Sequence, residues 1–127
     1  DVPMHFTAFH PDWKMMDKPR TPKSTLVRAR EIAQANGVRY AYTGNVHDFD
    51  GASTYCHSCG HRLIGRDWYE LSDWNITFEG NYSGNCNNCG EPAAGVFDET
   101  PGDWGRKRQP VRLGRKIPPA KPVTPSA

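Results

Sequence analysis

Over the first 45 residues the apolar and polar positions change period twice. From residue 3 to residue 9 they alternate in part, with Met4, Phe6 and Ala8 on one side and His5, Thr7 and Phe9 on the other. A period of two predicts a strand, and apolar side chains on both faces predict one covered on both sides, as in a parallel sheet. The strand should stop at His10-Pro11-Asp12, because proline cannot donate to a ladder. Residues 15–20 read as a loop. Thr21 then offers a helix N-cap, and Pro22 suits the first helical position, where a missing N–H is no loss. Leu26, Ala29, Ile32 and Ala33 recur at helical spacing. Asn36-Gly37 ends the helix, with glycine free to turn left-handed. Val38, Tyr40 and Tyr42 alternate again, predicting a second strand over residues 38–43.

Strand, helix and strand in this order predict a βαβ unit with parallel strands and a right-handed crossover. Two strands and one helix are too little for independent stability. The unit therefore calls for cover from sequence before Asp1 or from a partner.

After Asn45 the regular pattern fades. Residues 46–55 read as a polar loop, and short strands are predicted at 61–64, 68–71 and 76–78. From residue 98 onward, prolines and basic residues replace large apolar side chains, the composition of a disordered tail. The chain thus divides into residues 1–45, a βαβ part; 46–97, a cysteine-bearing module; and 98–127, a basic, proline-rich tail.

Only 36% of the 127 residues are hydrophobic, so a large single core is not expected. No apolar run approaches the roughly 20 residues that span a bilayer, which argues against a membrane partner. The start, Asp-Val-Pro-Met-His-Phe, lacks the basic and apolar regions of a signal peptide and does not begin with Met. It reads as a chain processed, cut from something longer, or incomplete, with a cytoplasmic location. Residues 105–127 hold seven basic side chains and no acidic one, whereas residues 1–104 hold nine basic against fourteen acidic, net −5. A body of that sign is poorly suited to phosphate backbones, which argues against a nucleic-acid partner. The basic tail suits contact with nucleic acid or an acidic partner, but its plainer reading is a solvated one.

All four cysteines lie in two copies of Cys-x-x-Cys-Gly, at Cys56, Cys59 and Gly60 and at Cys86, Cys89 and Gly90. Two residues between thiolates let one tight turn aim both sulfurs at a point, and the following glycine permits the positive φ such a knuckle needs. Two knuckles make a tetrahedral four-sulfur site, fit for Zn²⁺ or for a single iron. Two disulfides would need an oxidising compartment, and a thioredoxin-like site needs only one such pair. With four thiolates available, His57 and His61 are expected at the surface rather than on the metal. Trp68, Tyr69 and Trp74 are expected to cover the small sheet, since a module this short needs metal and aromatics to stay folded.

The stretches "DVPMHFTAFHPDWKM", "TPKSTLVRAREIAQANGVRYAYTGNV", "STYCHSCGHRLIGRDWYEL" and "GNCNNCGEPAAGVF" resemble, in this order, the C-terminal part of the AmmeMemoRadiSam-system radical SAM enzymes, relatives of the pyruvate formate-lyase activating enzymes. The resemblance covers residues 1 to about 97. It implies an α/β fold, in which the βαβ unit ends a partial (β/α)6 barrel and the ribbon is an appendix. It also implies a [4Fe-4S] cluster on an N-terminal Cys-x3-Cys-x2-Cys motif that cleaves S-adenosylmethionine in the complete enzyme. This chain carries no such motif, so it should be inactive alone and need the missing N-terminal part, in the same chain or a separate one. The family's strand-end histidine that approaches S-adenosylmethionine matches His10. On its own, His10 before proline reads equally as a turn residue, and His5 as a packed one.

Three functions follow as expectations: the C-terminal portion of a radical SAM enzyme; a stand-alone zinc-ribbon module that binds protein or nucleic acid; and a rubredoxin-like electron carrier with iron at the four cysteines.

Overall fold

A computed structural model describes residues 1–102 of the chain, so most of the expected tail, residues 103–127, lies outside the described residues. The element order is β1 (Met4–Thr7), α1 (Lys23–Ala35), β2 (Ala41–Gly44), α2 (Phe49–Ala52), β3 (Thr54–Tyr55), β4 (Arg62–Asp67), β5 (Glu70–Trp74), β6 (Ile76–Gly80), β7 (Ser83–Cys86) and β8 (Pro92–Ala93). No helix among the described residues is long and apolar enough to cross a membrane.

β1 and β2 pair in parallel, from Met4 opposite Ala41 to Thr7 opposite Gly44, with α1 as the crossover. Leu26 and Ala33 are the buried residues of α1, but Ile32 is 53% exposed, so the apolar stripe is narrower than its spacing implies. The helix starts one residue later than expected. Pro22 is its N-cap, in an extended conformation and with no side-chain cap bond. Thr21 instead ties the loop to the end of β1: its hydroxyl accepts from the Phe9 N–H at 2.9 Å, and its own N–H donates to the Phe9 carbonyl at 3.1 Å. At the other end Gly37 takes φ +91° beside the Asn36 C-cap, as its sequence position predicts.

The expected polar loop at 46–55 contains the short helix α2 and the strand β3. Its anchor is Asp48, which accepts a hydrogen bond from the Thr43 hydroxyl at 2.8 Å and lies 3.5 Å from the Lys23 ammonium. Gly51 packs so tightly on Asp48 and Thr43 that a Cβ would collide with both side chains.

From Thr54 onward the chain is antiparallel. β3-β4-β5 and β6-β7-β8 form two three-stranded sheets, joined by the single residue Asn75. Cys56, Leu63, Ile64, Ile76 and Cys86 make their buried core, with Trp74, Ala93 and Phe97 packed against it. Trp74 meets Phe97 edge to face at 6.4 Å between centroids. Of the three aromatics expected to cover this module, only Trp74 does so. Trp68 and Tyr69 sit exposed in the turn between β4 and β5, where Trp68 has φ +53°.

This architecture corrects the barrel expectation. The described residues form eight strands in three small sheets with two helices, one of only four residues. A (β/α)6 arrangement needs a helix after each strand, and after Ala52 no helix follows among the described residues: antiparallel strands are linked by turns and knuckles, and the two sheets by Asn75. The parallel sheet stops at two strands.

Candidate metal centre

Each knuckle is a turn between two short strands, β3 and β4 for Cys56–Cys59 and β7 and β8 for Cys86–Cys89. Their backbones repeat one pattern. The Cys56 N–H donates to the His61 carbonyl at 2.8 Å, and the Gly60 N–H to the Cys56 carbonyl at 2.9 Å. In the second copy, Cys86 N–H donates to Glu91 carbonyl and Gly90 N–H to Cys86 carbonyl, both at 2.8 Å. Gly60 and Gly90 take φ +74° and +78°, the left-handed conformation their position calls for.

These turns bring all four sulfurs within 4.8 Å of one another. Cys56 Sγ lies 3.6 Å from Cys89 Sγ, and Cys59 Sγ lies 3.7 Å from Cys86 Sγ, so the closest pairs run between knuckles. A regular tetrahedron with bonds of about 2.3 Å has sulfur–sulfur edges of about 3.8 Å. The four cysteines are free thiols, and together they can hold a metal ion. The first cysteine of each pair is buried, Cys86 to 2% exposure, while Cys59 and Cys89 face solvent.

The surroundings favour thiolate unequally. The side-chain N–H of Asn88 donates to Cys59 Sγ at 3.5 Å, and with the backbone N–H of His61 it brings the Cys59 thiol down to about 6. At Cys89 the backbone N–H of Glu91 also favours the thiolate. Burial and the neighbouring thiols of Cys59, Cys56 and Cys86 outweigh it and push Cys89 up to about 12. Four sulfurs this close resist shedding every proton unless a cation takes their place.

His57 and His61 stay outside the sulfur cluster, as expected, but neither is a free surface residue. His57 is mostly buried, 3.3 Å from the Glu91 carboxylate and 3.5 Å from the Tyr40 hydroxyl. That hydroxyl also accepts the Ala94 N–H at 3.2 Å, so Tyr40, just before β2, touches both knuckle regions. Nothing in the spacing of Tyr40 marks it for this role. His10 is exposed just past β1 and is not brought near the cysteines. His5 stacks on Tyr42 with centroids 5.0 Å apart.

No known family model matches the chain, and no solved structure matches it. It is similar to an uncharacterized protein of Methanocaldococcus jannaschii, 42% identical over 91 residues. Those residues are 72% of this chain but 26% of the relative, so the chain spans about a quarter of the length of the protein it matches.

Proposed function

We propose that residues 54–97 form a zinc-ribbon-like module in which Cys56, Cys59, Cys86 and Cys89 hold one structural Zn²⁺, and that the module acts by binding a protein. The observation that carries this reading is the four-sulfur cluster, all within 4.8 Å, with two of the sulfurs inside the module's own core. Four sulfurs leave no open coordination position, which suits a structural ion rather than a catalytic one. A protein partner fits the acidic charge of residues 1–104 better than nucleic acid does. The test is metal analysis of chain purified without added metal. One zinc per chain and no visible absorption is the expected result. A red, iron-loaded protein would instead favour the rubredoxin-like electron carrier.

A second reading is that the module belongs to a radical SAM enzyme. It is favoured by the small parallel sheet, which is too slight to stand alone, and by the much greater length of the relative. The [4Fe-4S] cluster and its Cys-x3-Cys-x2-Cys motif would come from sequence outside these residues, and His10 would approach S-adenosylmethionine. Reductive cleavage of S-adenosylmethionine by a longer protein containing this chain, slowed by His10→Ala, is the expected outcome. A longer protein without that motif would end this reading and leave the zinc site untouched.

A further inference from the structure

Arg66 on β4 is half-buried, and among the described residues no acid matches its charge. Its Nη1 donates to the Thr54 hydroxyl at 2.6 Å and to the Ala52 carbonyl at 3.3 Å, both neutral acceptors. None of the ion pairs among the described residues includes Arg66. Arg62, four residues before it on β4, shows the ordinary solution: its Nε lies 2.7 Å from the Asp73 carboxylate. Burial lowers the proton affinity of Arg66, partly offset by the Tyr42 hydroxyl nearby. A desolvated cation without a counter-charge is costly, and five N–H donors are more than two acceptors can satisfy.

The bonds to Thr54 and Ala52 both use Nη1, and the Tyr42 hydroxyl is a further acceptor close to the guanidinium. Arg66 lines a cavity of about 450 Å³ with Pro3, His5, Tyr42, Thr43 and Ala52. No acidic side chain lines it. The guanidinium carbon lies 5.9 Å from the Tyr42 ring, and the other face of the site is the stacked His5–Tyr42 pair. The nearest acids along the chain are engaged elsewhere, Asp67 with His47 and Asp48 with Lys23 and Thr43.

We infer that this cavity binds an oxyanion, the carboxylate or phosphate of a small molecule, through the guanidinium of Arg66 beside His5 and Tyr42. A guanidinium carries paired, parallel N–H groups, the arrangement that grips two oxygens of one anion. The site is separate from the four cysteines and does not depend on which metal they hold.

The test uses the full chain prepared with zinc. Inorganic phosphate and acetate are titrated in separate arms, against sodium chloride at matched ionic strength. The Arg66 Nε–H and the His5 ring resonances are followed by NMR. At least one oxyanion should move both resonances saturably, and the arm that saturates at the lower concentration identifies the group. Movement no greater than in chloride, in both arms, overturns the proposal. Arg66→Lys keeps the charge and removes the fork, and should weaken binding about tenfold. His5→Ala, outside the Thr54 and Ala52 contacts of Arg66, serves where the lysine variant fails to fold. It should also weaken binding, and undiminished affinity in that variant overturns the placement of the site.

Discussion

The two cysteines of each knuckle share a spacing but not an environment. Cys56 and Cys86 are part of the apolar core, whereas Cys59 and Cys89 face water. Cys56→Ser should therefore both remove a ligand and leave a hydroxyl in the core, unfolding residues 54–97 even with excess zinc, as followed by circular dichroism and NMR. Cys59→Ser should stay folded at high zinc but lose affinity by more than the ~10–100-fold typical of a lost outer-shell partner. Asn88 is such a partner. Asn88→Ala should raise the first thiol titration of the metal-free chain above about 6, read as thiolate absorbance against pH. The sign follows from the Asn88 N–H favouring the charged sulfur: removing it favours the proton. Because the proton on Cys89 is held up to about 12, zinc uptake near neutral pH must expel protons, and affinity should rise with pH across the neutral range.

At the scale of elements, the strand–helix–strand order and the glycine turns were legible from residues 3–45 because local chemistry decides them. A period of two, a period of 3.6 and an Asn-Gly stop need no distant partner. What escaped was decided at longer range. Thr21 looks like a cap, yet its hydroxyl is taken by Phe9, twelve residues away. The helix α2 has no periodic signal in four residues and exists because Thr43 and Lys23 hold Asp48. Burial opposes the Asp48 charge, but the Thr43 hydroxyl, the Gly51 N–H and the Lys23 ammonium outweigh it and lower its titration. A depressed carboxyl stabilises the fold above its unfolded value of about 3.9, and that stabilisation is lost as pH falls through the folded value. Acidification below about pH 4 should thus loosen the contact between α2 and β2, and Asp48→Asn should remove that acid sensitivity, measured by amide exchange at residues 48–52. Gly51→Ala should destabilise the same region at any pH, by about 1–3 kcal/mol in thermal or denaturant unfolding, since its Cβ has no room.

For the whole molecule, the sequence made the cysteine cluster plain, because both knuckles repeat one motif. It did not show how the βαβ unit and the ribbon join, since that depends on side chains far apart in sequence, among them the Tyr42 and Thr54 hydroxyls 3.0 Å apart. Tyr40 reaches His57 and the Ala94 N–H together. Tyr40→Phe should cost about 1 kcal/mol and leave zinc binding intact. The expected signature is faster amide exchange at Ala94, with the knuckle amides of Gly60 and Gly90 unchanged. The barrel reading failed at this same scale: a parallel pair is a local fact, and what lies beside it is not. The four sulfurs have a further consequence for the covalent chain. They join its two knuckles across 26 intervening residues, so a metal there would close a ring around both hairpins. A protease cut in the exposed turn at Asn81-Tyr82 would then produce two peptides that still travel as one particle. They would separate only when a chelator opens the ring.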